Sequence, residues 1–66
     1  MYLIRTTYDS QTAKTAKTFK DAAKIAKKLD GATIFDCDDY YYSDNFDGWM
    51  PKNCRGEYLP TGECIG

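Results

Sequence analysis

Ala22, Ile25, Ala26 and Leu29 recur at the spacing of one helical face, and Phe19 extends that stripe by a turn. Lys20, Lys24, Lys27 and Lys28 fall on the opposite side. Asp21 sits in the first turn and Lys27 and Lys28 in the last, the arrangement that the helix dipole favours. Thr18, with Asp21 three residues on, reads as an N-cap, and Gly31 supplies the left-handed residue that ends a helix. A helix over Phe19–Leu29 buries a narrow face in which Ala22 and Ala26 lie among Phe19, Ile25 and Leu29. Such a face stabilises little by itself and allows close approach to a flat surface. The rest of the chain must therefore provide a sheet for it to lie on.

The flanking segments have strand character. Tyr2 to Tyr8 alternates Tyr2, Ile4, Thr6 and Tyr8 with Leu3, Arg5 and Thr7, and Asp9-Ser10-Gln11 is a turn signal. Thr12 to Thr18 is a short Thr/Ala/Lys repeat that allows two readings. Three β-branched threonines favour the return strand of a hairpin, whereas Ala13, Ala16, Phe19, Ala23 and Ala26 would share a side of a longer helix capped by Ser10. A cap at Thr18 supports the strand, because it implies that the preceding chain is not helical. Ala32 to Asp38 forms the next strand, in a register that buries Phe35 and Cys37 and turns Asp36 and Asp38 outward. Beyond Asp39 regularity fades, and Tyr40-Tyr41-Tyr42 reads as an extension of this strand. Asp47-Gly48 and Asn53 to Gly56 are turn signals, and Glu57 to Ile65 reads as a short terminal hairpin or a tail folded over the sheet. The expected fold class is α+β: a small antiparallel sheet in the order ββαβ, with one helix packed on one face. Sixty-six residues make a single domain, 1–66, in which 1–39 is the scaffold and 40–66 an aromatic, acidic, loop-rich part. A core of this size is worth only a few kcal/mol net.

Asp36 to Trp49 stands apart. Five carboxylates, five aromatics and Cys37 fall within fourteen residues that hold no positive charge. Residues 1–35 carry seven Lys/Arg against three Asp, and residues 36–66 carry two Lys/Arg against seven Asp/Glu. The chain is thus polarised, although its net charge is only −1. One reading of the stretch is that its rings pack a core lobe while its carboxylates keep a small domain in solution. The other is a binding patch of Asp36, Asp38, Asp39, Tyr40, Tyr41, Tyr42, Asp44, Asp47 and Trp49. Tyr and Trp are favoured anchors of protein interfaces, and clustered carboxylates steer a basic partner.

Chemistry finds few residues to use. The chain has no histidine, the commonest general base and metal ligand, and no glycine-rich phosphate loop. Cys37 lies between Asp36 and Asp38, which disfavour a thiolate. Ser43, Asn45, Asp47 and Gly48 match the early positions of a calcium loop, but Cys54 stands where the closing glutamate belongs. Cys37, Cys54 and Cys64 lack the close ligand pairs of structural zinc sites. The three thiols read mainly as reduced, apolar fillers, with a Cys54–Cys64 bridge as the oxidised alternative. Neither enzymatic activity nor a cofactor is expected. The second candidate surface is the lysine face Lys20, Lys24, Lys27 and Lys28, which meets phosphates if it meets nucleic acid at all. Both arginines lie outside it, so base readout is not expected. With no apolar run near 18 residues and no signal-peptide pattern at Met1 to Arg5, a cytoplasmic protein without a membrane span is expected.

In its first forty residues the chain resembles small accessory proteins encoded by bacteriophages. The likeness lies in the Met-Tyr-hydrophobic strand, the Thr/Lys return strand, the Thr-Phe-Lys-Asp-Ala-Ala helix and the glycine-terminated exit. The resemblance carries no diagnostic motif and assigns no residue a role. It implies a non-enzymatic inhibitor in the host cytoplasm that binds and blocks one host protein, such as a defence or nucleic-acid-processing protein with a basic surface. Two alternatives remain: a nucleic-acid-associated regulator using the lysine face, and a self-associating module in which the positive half of one copy meets the negative half of another.

Overall fold

The helix forms where its periodicity places it. In the computed structural model, which describes residues 1–6 and 11–66, α1 spans Phe19–Lys28. The Thr18 hydroxyl accepts a hydrogen bond from the Asp21 amide at 3.2 Å, and Gly31 follows the helix at φ 74°. Thr18→Ala should therefore cost about 0.5–2 kcal/mol, measurable as a lower urea midpoint. An unchanged midpoint would show that Phe19 packing alone holds the helix start.

Four strands pair antiparallel in the order β2-β1-β3-β6, where β1 is Tyr2–Thr6, β2 Ala13–Ala16, β3 Ala32–Asp36 and β6 Gly56–Tyr58. Thr12 to Thr18 thus provides the return strand of a hairpin, not the start of the helix. The expected strand end at Tyr8 and the turn residues Asp9 and Ser10 lie outside the described residues. No helix among the described residues is long and apolar enough to cross a membrane.

The helix covers one face of this sheet. Ile4, Ala32 and Ile34 meet Ala22 and Ala26 there, all buried, with Tyr2, Phe19 and Tyr58 around them. Phe19 stands edge-on to both tyrosine rings, at 5.7 and 5.8 Å. The opposite face holds a second cluster of Leu3, Phe35 and Cys37. The one-sided register expected for Ala32–Asp38 therefore needs correction. Phe35 and Cys37 are buried as expected, but so are Ala32 and Ile34, because β3 is an inner strand covered on both faces. The strand also stops at Asp36, two residues early.

Met1 and Ala13 pack against this second cluster, and a second sheet reaches the same face through Arg5. Strands β4 (Asp39–Ser43) and β5 (Gly48–Lys52) form a hairpin closed by Asp44–Asp47. The Asp47 amide bonds the Ser43 carbonyl at 2.8 Å, and Asp47 takes φ 58°, a left-handed conformation that Asp tolerates better than most residues. The calcium-loop pattern Ser43–Gly48 is thus the hairpin turn.

The two sheets are halves of one long, bent hairpin. Asp36 opposes Gly56 in the inner half, and Asp39 opposes Lys52 in the outer half. Three steps along the outgoing strand match four along the return strand. The extra residue falls in Asn53–Arg55, where Asn53 has φ 55°. One added residue on one side is a bulge, and a bulge bends the strand that carries it. The bend folds the hairpin over the face bearing Leu3, Arg5 and Phe35. At the other margin, Cys64 bridges to Tyr58, and the tail bonds Glu57 through Ile65 and Gly66, so the edge of β6 is covered.

Candidate functional site

Arg5 fastens the hairpin to the sheet. Arg5 shares a face of β1 with Leu3, and its guanidinium donates to the Trp49 carbonyl at 2.7 Å and to Met50 Sδ at 3.3 Å. The same group lies 4.7 Å from the centre of the Phe35 ring and 4.8 Å from that of Phe46. Partial burial lowers its pKa, and the charge of Glu57 opposes that shift. Sequence reasoning missed both Arg5 and Phe46. The available signal was a lone charge among Tyr, Leu, Ile and Thr in a strand.

Alternation sorts the hairpin into two faces. Tyr42 opposes Trp49 and Tyr40 opposes Pro51, so these four share one face. Tyr41 opposes Met50 on the other, and Met50 is the residue that meets Arg5. The first face is therefore turned away from the sheet. On it Trp49 lies between Tyr40 and Tyr42, each edge-on at 5.3 Å. Such pairs contribute about 0.5–1.5 kcal/mol each beyond their buried area, so the rings order one another without a core. Tyr40, Tyr41 and Tyr42 keep 38%, 48% and 42% of their surface exposed. The reading in which these rings pack a core lobe is thus corrected: none of them is fully buried, and a two-stranded hairpin has no interior to bury one.

The carboxylates divide into engaged and outward groups. Arg55 binds Asp36 at 2.9 Å and also Asp38, with the Asp38 carboxylate 55% exposed. The hydrogen bond from Arg55, then its charge, holds the Asp38 carboxyl below the usual range, and the Asp38 and Asp36 bonds push the guanidinium up. Both acids thus flank the hairpin base rather than the ring cluster. Asp47 accepts from the Tyr42 hydroxyl at 2.8 Å and from the Gln11 amide at 3.3 Å. The first contact raises the Tyr42 pKa, since an acceptor carboxylate keeps the phenol protonated. Asp39 accepts from the adjacent Tyr40 amide at 2.8 Å, and Asp39 and Asp44 are both exposed. The ring cluster is therefore bordered by Asp44 and Asp47, which both act on Tyr42, while Asp39 and Lys52 oppose each other on the Tyr41–Met50 face.

Lys20, Lys24, Lys27 and Lys28 are exposed on α1, across the four-stranded sheet from the hairpin. The charge polarity of the sequence becomes a polarity of the molecule: cations on the helix side, carboxylates on the hairpin side. A shallow groove of about 660 Å³ between β2 and α1 is lined by Ala16, Lys17, Asp21, Lys24 and Ile25, and it gathers no catalytic set. Cys37 is fully buried, and burial above all raises its pKa, with the Cys54 thiol adding to the effect.

No family model matches the chain, and neither a curated protein nor a solved structure shows significant similarity to it.

Proposed function

We propose that this chain is a non-enzymatic protein-binding module that blocks a basic surface of its partner with the outer face of the β4–β5 hairpin. The observation that carries this reading is the ring cluster: Trp49 held between Tyr40 and Tyr42, on the side away from the sheet, with carboxylates at its border. Large, rigid rings already ordered in the free protein lose little freedom on binding, and they form the usual anchors of an interface. Asp39, Asp44 and Asp47 supply steering toward a basic partner. The resemblance to phage accessory proteins suggests a host protein as that partner and inhibition as the outcome. The absence of histidine and the burial of Cys37 argue against a nucleophilic or general-base role.

The test compares capture of partners from host lysate by the intact protein and by Trp49→Ala, with circular dichroism confirming the fold of each. Loss of a central anchor worth about 2 kcal/mol or more lowers affinity roughly 30-fold. Lys20, Lys24 and Lys28 exchanged together for Glu should leave capture unchanged. Equal capture by a folded Trp49→Ala variant would sink the proposal, and loss of capture only in the lysine variant would move the site to the helix.

A further inference from the structure

We propose that Cys37 and Cys54 form a reversible disulfide that closes the base of the β4–β5 hairpin, with a small-molecule disulfide such as oxidised glutathione as the oxidant. The argument rests on strand geometry. Cys37 gives both of its backbone groups to Met1 on the β1 side: its amide bonds the Met1 carbonyl at 3.1 Å, and its carbonyl accepts from the Met1 amino group at 3.0 Å. Toward the return strand it therefore occupies a non-hydrogen-bonded position. Two cross-strand bonds bracket that position. The Arg55 amide donates to the Asp36 carbonyl at 2.7 Å, and the Asp38 amide donates to the Lys52 carbonyl at 3.1 Å. Between these bonds the return strand carries only Asn53 and Cys54.

Residues opposed in this way have Cα atoms about 4.5 Å apart in a regular ladder, at the near end of the roughly 4.4–6.8 Å that a disulfide spans. The electrostatic coupling of the two thiols agrees with this placement. Cys64 is excluded by position. It pairs with Tyr58 on the outer edge of β6, so β6 stands between it and β3. The Cys54–Cys64 bridge considered from the sequence is thus displaced by a different partner for Cys54.

Accessibility orders the steps. Cys54 is exposed and Cys37 is buried. The Cys54 thiolate attacks one sulfur of the oxidant, forming a mixed disulfide and releasing one small thiolate. The Cys37 sulfur, having lost its proton to solvent, then attacks Cys54 Sγ, and the second small thiolate leaves. Two protein thiols are oxidised to one disulfide, and one small disulfide is reduced to two thiols. The new bond encloses the whole hairpin, so it restricts the hinge on which the aromatic face is carried.

The folded protein, incubated with excess oxidised glutathione and then alkylated, tests this directly. The expected product is lighter than the reduced chain by two hydrogens before alkylation and takes up a single alkyl group, at Cys64. Trypsin places the three cysteines in separate peptides, because Lys52 and Arg55 flank Cys54. The digest should contain Leu29–Lys52 joined to Asn53–Arg55. Cys64→Ser should give the same cross-link, and Cys54→Ser should give none. A bond that includes Cys64, or a glutathione adduct that persists on Cys54 while Cys37 stays reduced, would overturn the proposal.

Discussion

Replacing Arg5 with alanine should release the β4–β5 hairpin while leaving the four-stranded sheet and α1 in place. The guanidinium makes a charge-assisted hydrogen bond to the Trp49 carbonyl and lies between Phe35 and Phe46. A bond of that kind contributes about 1.5–3 kcal/mol and a partly desolvated cation–π contact about 0.5–2 kcal/mol, so the cost is about 2–5 kcal/mol. Most of it falls on one element, because the hairpin holds itself together through its own ladder and its own rings. Amide exchange in β4 and β5 should accelerate far more than in β1 or β3. Trp49 is the sole tryptophan, so its fluorescence reports the same event without labelling. Arg5→Lys should rescue only partly, since an ammonium lacks the flat group that fits between two rings. Hairpin amides as protected as before would show that the bend, and not Arg5, fixes the hairpin.

Ile34→Ala has the larger global effect. Ile34 is fully buried on β3, paired with Ile4 on one side and Tyr58 on the other, and it packs beneath Ala22 and Ala26. Removing its side chain costs about 2–5 kcal/mol in lost transfer energy and residual cavity. Chain length alone sets total stability at roughly 3–10 kcal/mol. The variant should lose a large part of that, with helix and sheet signals falling together at a lower urea midpoint. Ala22 and Ala26, buried in the same cluster, are too short to reach into the space. A midpoint displaced by only a few tenths of a kcal/mol would mean that the helix settles into the gap.

These two residues differ in how visible they were before the structure. Ile34 lies in a run rich in β-branched and aromatic residues between a helix-ending glycine and a turn, so its burial was legible, although its two-sided cover was not. The helix was legible in nearly every detail, because period, cap and exit glycine all agree. Arg5 was not, since the residues it binds lie some forty positions downstream. The hairpin itself was obscured by β5, where Gly48, Trp49, Met50, Pro51 and Lys52 show no alternation and include a proline. That proline is tolerated because β5 pairs on one side only. Asp36 to Trp49 read as uniformly negative because Arg55, which engages two of its carboxylates, sits beyond the segment. The outward ring cluster was half legible: its residues were named, but alternation alone did not say that Tyr40 and Tyr42 would flank Trp49.

The extra residue in the return strand also governs what length changes the chain tolerates. Side chains alternate across a strand, so removing one residue from Asn53–Arg55 inverts the hairpin relative to the sheet. Trp49 and its neighbours would then be driven inward, and Met50 and Tyr41 outward. A residue added or removed within Asp44–Asp47 has no such effect, because it lies beyond the last pair of the ladder. The parity of one short connection, rather than any single ring, decides which chemistry this protein shows to its surroundings.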